Sequence, residues 1–447
     1  MSRLPTSDLL SLSVTCKLFN CLANDTLRNV RLPIHRQKVY KLGLVSLVRQ
    51  ARFVRVGLDL SERNERLDEI WAGIFSRDCL RRFLNSNQQK LFFESNEEIR
   101  EFFFPLNNLR LKANLGDKSF NYLDSLFSFL SRNPCRLKAL DLEGGNLSQC
   151  DPNNLALGVN NVLIANLERV WLSHTHLNKI FKTLGQGTSF LQFLSLAEED
   201  LSGVDDKVLA HGVVNLSEVD LSDTKLSETQ LVSLLETIAS AASLSLTSIR
   251  LSSVSSLANV SPSLLSRSVS RLVRVDVQWT NLSSTQLVHL ATNIVHSTTS
   301  INSLSLAGVK LSTLPTSLLN NMLTKLTVVD VTCTDLTANQ SSNLLTSIAT
   351  GNARVESLAM DCSCLEEVQD EVVVGVCNTL SRVVFHGGGW ESEGGKSGVV
   401  YSALMDSTSM VDCSVMCCGI ATANMVEKYP SADTFLSNKT RGYFLNK

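Results

Sequence analysis

Apolar residues recur along the chain at a fixed spacing, L-x-x-L-x-L-x-x-T/N/S/C-x-L. Clear copies begin at Leu137, Leu167 and Leu216. The spacing between copies alternates between about 25 and 29 residues, so that two copies form a unit of about 55. The pattern therefore predicts a repeat array, with further copies at Leu191, Leu246, Leu272, Ile301, Leu326, Val355, Leu380 and Met410.

Each copy predicts a short strand followed by a turn. In the L-x-L core, alternation by two places the leucines on one face of a strand and the x residues on the other. A residue that is usually polar and able to bond the turn backbone follows at the ninth position. These residues are Asn114, Thr175, Thr224, Thr280, Thr334, Ser363 and Cys418.

A helix is predicted after the turn in alternate copies. The segments 227–230, 283–286 and 337–340 begin with Ser or Thr and end with Gln, which is the pattern of a capping box at a helix start. Leucines at helical spacing follow, as at Leu231, Leu234 and Leu235. A single strand–turn–helix unit cannot bury its own apolar face, so the units are predicted to stack on one another.

This arrangement resembles the leucine-rich-repeat family, in particular its ribonuclease-inhibitor-like class. The resemblance implies an α/β fold: a right-handed solenoid or horseshoe with a parallel concave sheet, convex helices and a small helical N-terminal cap. It covers residues 106–420, preceded by irregular repeats over 31–105 and an F-box-like segment over 1–30, and followed by a tail over 421–447. It implies binding of another protein but no particular partner.

Residues 8–30 resemble the second half of an F-box, with a D-L-L start at Asp8 and a C-K-x-F-x-x-L-A centre at 16–23. The first helix of that family is missing, because Leu4 and Pro5 are followed at once by Asp8. The resemblance implies contact with the adaptor subunit of an SCF-type ubiquitin ligase. The alternative is a helical cap over the end of the repeats. Both interpretations use the apolar residues Leu9, Leu12, Phe19 and Leu22.

Charge and composition exclude several classes of function. A formal net charge of -2 argues against a general polyanion binder, so no nucleic-acid partner is expected. No apolar run approaches the ~20 residues of a membrane span, and no signal peptide is evident. A cytoplasmic or nuclear protein is expected, and its 12 cysteines are expected to be reduced thiols.

Three motifs suggest chemistry but fail on spacing. His386 with the following three glycines is typical of an oxyanion-hole strand, but the chain has no G-x-S-x-G nucleophile and no later histidine. Lys396 and Ser397 follow glycines as in a phosphate loop, but Trp390 stands where the first glycine is required. The C-terminal cysteines contain no C-x-x-C pair. The sequence therefore predicts no enzyme activity, no cofactor and no metal.

The x positions of the predicted strands indicate where a protein partner would bind. Trp171 and Trp279 are the main candidates, because a repeat has no use for an exposed indole and binding surfaces are enriched in Trp. Both are predicted to lie on strands of the concave face. The other candidates for this face are His174, Asp220, Arg250, Arg274, Asp276 and Asp330.

The predicted function is protein–protein interaction, as substrate recognition for an SCF-type ubiquitin ligase. A repeat scaffold or inhibitor without a ligase role is the alternative. A leucine-rich-repeat GTPase activator is a third possibility, but it needs an exposed catalytic arginine that the sequence does not single out.

Overall fold

The computed structural model describes residues 31–34, 54–59, 109–114, 127–128, 130–131, 139–296, 299–386 and 412–416. The chain divides into two compact units. Unit 1 contains residues 1–230 and 244–246, and unit 2 contains residues 231–243 and 247–447. The F-box-like segment 8–30, with Leu9, Leu12, Phe19 and Leu22, lies outside the described residues, and so does the tail 421–447.

The described strands of unit 1 form a parallel sheet in chain order. Each strand pairs with the next in uniform register, as in the pairing of Leu140 with Ala165 and of Leu194 with Val219. The strands are β1 (Arg31–Ile34), β2 (Val54–Asp59), β3 (Leu109–Asn114), β4 (Ala139–Asp141), β5 (Ile164–Asn166), β6 (Phe193–Ser195) and β7 (Glu218–Asp220).

The described strands of unit 2 follow the same rule. Val275 pairs with Ile249 on one side and with Leu304 on the other, so the apolar positions are aligned across the sheet. The strands are β8 (Ser248–Arg250), β9 (Arg274–Asp276), β10 (Ser303–Ser305), β11 (Val328–Asp330), β12 (Ser357–Asp361), β13 (Arg382–His386) and β14 (Asp412–Met416).

Helices alternate with these strands, which confirms the predicted α/β leucine-rich-repeat architecture in both units. The helices that the structure describes from end to end are α1 (Pro152–Asn160), α2 (His174–Gly185), α3 (Asp206–Val213), α4 (Glu228–Ser240), α5 (Pro262–Val269), α6 (Ser284–His296), α7 (Thr316–Leu323), α8 (Ala338–Ala349) and α9 (Asp370–Thr379). The described residues also contain two 3-10 helices, at Ser255–Asn259 and Cys362–Leu365.

Burial follows the repeat. The fourth and sixth positions are fully buried, as at Val219 and Leu221, whereas the residue between them, Asp220, is half-buried. Burying a leucine side chain contributes about 1.5–3 kcal/mol, so each repeat adds a fixed increment to a shared core.

The eighth position of the repeat has a left-handed backbone in successive copies. Its φ is 56° at Arg169, 62° at Glu198 and 54° at Trp279. This conformation turns the N–H toward the next repeat, so that Arg169 donates to the carbonyl of Ala197 and Trp279 to that of Ala307. The hydrogen-bond ladder thus continues past the end of each strand, because buried backbone groups must find partners.

The predicted capping boxes are present, and their glutamines have a second role. The side chain of Gln286 accepts the N–H of Ser283 and donates to the carbonyls of Leu257 and Val260 in the preceding repeat. Gln230 and Gln340 make the same contacts with their own preceding repeats. Four buried side chains at equivalent positions therefore each tie a helix start to the repeat before it: His176, Gln230, Gln286 and Gln340.

Candidate protein-binding surface

The two candidate tryptophans are both exposed, Trp171 by 71% and Trp279 by 55%. Neither lies on a strand. Trp279 follows β9 at the eighth position, and Trp171 follows β5 by five residues. The placement of both tryptophans on strands was therefore wrong: they lie in the turns at the ends of strands.

For Trp171 the error is one of register. The spacing of Leu167, Val170 and Leu172 fits the repeat pattern, but the strand begins at Ile164 and its fourth-position residue is Ala165. The correct copy is difficult to recognise because alanine replaces leucine at its fourth position. The same apolar spacing recurs by coincidence five residues further along the chain. Thr175 is predicted to be a ninth-position turn residue, but it is an exposed residue of the first turn of α2.

The Trp171 turn (residues 169–174) is held by a buried carboxylate from the next repeat. Glu199, only 4% exposed, accepts hydrogen bonds from the N–H groups of Val170, Trp171 and Leu172. The bonds from Trp171 and Leu172 are 3.0 and 2.9 Å long. Burial raises the pKa of Glu199, and the three N–H donors act against that rise. Arg169 and Trp171 both have a φ of 56° in this turn.

Charged side chains surround the Trp171 turn. The Arg169 guanidinium forms an ion pair with Glu198, which lowers the pKa of that carboxyl, and lies 3.9 Å from Glu168. Burial, followed by the repulsion of Glu143, raises the pKa of Glu168. All of these contacts lie within unit 1.

A second charged group adjoins the same turn. Asp200 lies 3.3 Å from Lys225 and 3.9 Å from His174. Hydrogen bonds from Ser202 lower the pKa of Asp200 to about 2. His174, which was predicted on a strand, is instead the first residue of α2, and its ring lies against Gly203.

The aspartates at the fifth position of the repeat bond their own turns. Asp220 accepts the N–H of Ser222 at 3.0 Å, Asp276 that of Gln278 at 3.0 Å, and Asp330 that of Thr332 at 3.1 Å. Each carboxylate thus accepts a hydrogen bond from a backbone group where the chain leaves its strand, which is a structural role for the recurrent aspartate.

In unit 2, the turn residue Gln278 and two strand residues form a polar chain beside Trp279. Gln278 donates to the hydroxyl of Ser305 and to Asp330, and Ser305 also donates to Asp330. Arg250 and Arg274, both exposed, lie at the ends of β8 and β9, and the register places Arg250 beside Asp276. The indole of Trp279 packs over Gly308 of the next repeat.

The candidate residues thus form two groups. Trp171, His174 and Asp220 belong to unit 1, and Arg250, Arg274, Asp276, Trp279 and Asp330 belong to unit 2. Sequence reasoning missed Glu199 and the Arg169–Glu198 pair. The available signal was the acidic run at 198–200, because the ninth position of other copies holds an uncharged residue, as at Thr224 and Thr280.

The described residues contain no cluster of three or more His, Cys, Asp or Glu side chains that would suit a metal ion. Among them, no helix combines the length and apolar character that crossing a membrane requires. Among the described residues, no disulfide bond is formed by Cys150, Cys333, Cys362, Cys364 or Cys377.

No protein-family model and no curated protein matches the chain. One similar solved structure is the leucine-rich repeat-containing protein LegL7 from Legionella pneumophila, 16% identical, with a TM-score of 0.41 over 61% of this chain and 91% of that chain. Another is a chain in the structure of the Rad7 and Elc1 complex in yeast, 14% identical, with a TM-score of 0.43 over 81% of this chain and 100% of that chain.

Proposed function

We propose that this leucine-rich-repeat protein functions by binding another protein, and that the Trp171 and Trp279 turns are its main contact points. The observation that carries the proposal is the exposure of two indoles on turns whose backbones are fixed by hydrogen bonds. Trp and Arg dominate interaction hot spots, and a rigid aromatic side chain loses little conformational entropy on binding.

The arrangement of the surrounding polar groups supports the same proposal. Ion pairs and hydrogen bonds around each indole already satisfy one another, as in the Arg169–Glu198 pair and the Gln278–Ser305–Asp330 chain. A partner can therefore cover this surface without leaving buried polar groups unpaired. Polar groups around an apolar centre are the usual composition of an interface rim.

Affinity purification with the full chain tests the proposal. The double variant Trp171→Ala/Trp279→Ala is compared with the wild type and with Phe190→Ala/Val288→Ala, a control that also removes two exposed apolar side chains, one in each unit. We expect a protein that the wild type and the control retain and the double variant loses. Binding is then measured with purified components, where each Trp→Ala change should weaken it by about 2 kcal/mol. Equal retention by all three chains would contradict the proposal.

A finer proposal is that the bound protein is the substrate of an SCF-type ubiquitin ligase, with the chain in the cytoplasm or nucleus. Its support is the F-box-like sequence at residues 8–30. Phe19→Ala with Leu22→Ala should then abolish co-purification with the adaptor while the repeats stay folded. If the wild-type chain does not bind the adaptor, a scaffold or inhibitor without a ligase role is the function that remains.

A further inference from the structure

We infer that Glu199 is a positioning residue for partner binding: it holds the Trp171 turn as a preformed projection that fits an apolar pocket bordered by Lys or Arg on the partner protein. The inference rests on the proposed function and adds to it the residue that orders the contact and the chemistry of the partner.

The first step is the cost of Glu199 to the fold. A carboxylate that is only 4% exposed has lost most of its hydration, and such burial is unfavourable even when the charge is hydrogen-bonded. The repeat does not require it. At the same position, the hydroxyls of Thr224 and Thr280 donate to carbonyls of their own repeats, Leu221 and Val277, at 2.6 Å.

The second step is the backbone that Glu199 stabilises. Trp171 has a left-handed φ of 56° two residues beyond the eighth position, where the repeat itself has such an angle, and side chains as large as an indole rarely adopt it. The three N–H groups of residues 170–172 converge on the single carboxylate. Sparsely populated backbone conformations that surroundings enforce are typical of functional sites. The result here is an indole that is 71% exposed on a turn with fixed geometry.

The third step is the partner's chemistry. The indole offers a large apolar surface, and cations bind favourably to its face. Four carboxylates lie on or beside the turn, at Glu168, Glu198, Glu199 and Asp200, against the cations Arg169 and Lys225. The local charge is therefore negative. A partner with an apolar pocket and basic residues at its border complements both features.

Hydrogen exchange tests the positioning role without any partner. In the wild-type chain, the amides of residues 170–172 should be protected. Glu199→Gln should accelerate exchange by at least about tenfold at one or more of these amides, because a glutamine amide keeps one acceptor oxygen and its NH2 group cannot accept the remaining N–H, while the amide of Trp279 remains unchanged. Glu198→Gln is the matched control, since that neighbouring carboxylate pairs with the Arg169 side chain. Equal exchange in wild type and Glu199→Gln would overturn the inference. If Glu199→Gln does not fold, Glu199→Asp, which is one methylene too short, takes its place.

A double-mutant cycle tests the functional role, using the purified protein whose retention depends on the tryptophans. Glu199→Gln should weaken binding roughly tenfold in the wild-type background and by less than about twofold in the Trp171→Ala background. Wild-type affinity should also fall as salt rises. Additive effects in the cycle, or affinity independent of salt, would overturn the inference and leave the proposed function intact. If no such protein exists, the proposed function fails and the exchange experiment still decides whether Glu199 orders the turn.

Discussion

The indole of Trp279 lies directly over Gly308, the residue at the same position of the next repeat, so that a Cβ on Gly308 would overlap the six-membered ring of the indole. Gly308 has a φ of 72°, and its N–H donates to the carbonyl of Thr332. The orientation of one exposed aromatic side chain therefore depends on the absence of a side chain on its neighbour.

Gly308→Ala is expected to displace Trp279 as well as to strain the backbone. Gly351→Ala is the matched control, because Gly351 has a φ of 73° and open space around its Cα. The control should lose roughly 1–2 kcal/mol of unfolding free energy from the left-handed backbone alone. Gly308→Ala should lose more than this, and the fluorescence of Trp279 should shift. Equal losses in denaturant titrations would contradict the predicted displacement.

Gln286→Ala is expected to destabilise the protein by about 2–3 kcal/mol, because it removes the side-chain donor to the buried carbonyls of Val260 and of Leu257, of which Leu257 keeps the N–H of Val260. The capping bond to the N–H of Ser283 is lost as well. Thr285→Ala, one residue earlier and exposed, should change stability by less than about 0.5 kcal/mol. Chemical denaturation measures both, and a neutral Gln286→Ala would show that water replaces the amide.

Glu199 should give the folding stability a distinctive dependence on pH. Its pKa is raised in the folded protein, so the folded state binds a proton more tightly than the unfolded state. The contribution of Glu199 to the free energy of unfolding is therefore greatest at a pH below 4.5, the ordinary pKa of a glutamate. It decreases as the pH rises from there through the raised pKa of the folded state.

Denaturation of wild type and Glu199→Gln between pH 4 and 7 measures this contribution as a difference. The free energy of unfolding of the wild type, relative to that of Glu199→Gln, should fall as the pH rises. The control Glu198→Gln should show the opposite sign, because the Arg169 guanidinium lowers the pKa of Glu198 in the folded state. Its contribution is present above 4.5 and is lost as pH falls. Parallel profiles for the two variants would be inconsistent with this account.

Much of the fold could be predicted because one short rule is repeated. The strands β7, β9 and β11 lie where the V-D-L and V-D-V segments predicted them, since alternation of buried and exposed residues is a local property. The capping boxes at Gln230, Gln286 and Gln340 were also readable, because the hydrogen-bonding partners lie three residues apart.

The candidate site could be predicted only in part. The exposure of Trp171 follows from its poor fit to the repeat. Its position in a turn follows only when Ala165 is recognised as the fourth-position residue of the copy, and a search for regularly spaced leucines does not detect an alanine there. The hydrogen bonds of Glu199 join residues 27–29 positions apart in the chain. No local pattern encodes such a contact, since it exists only once the repeats are stacked. The same is true of Trp279 and Gly308.

The buried side chains at His176, Gln230, Gln286 and Gln340 also determine how many repeats can be added to or removed from this chain at once. Each of these side chains is anchored in the repeat before its own, so removing one repeat leaves an amide or imidazole in the wrong environment. Removing or duplicating two repeats together preserves every donor with its acceptor. Changes in length should therefore be tolerated in pairs of repeats, and an engineered chain lengthened by a single repeat should be the one that fails to fold.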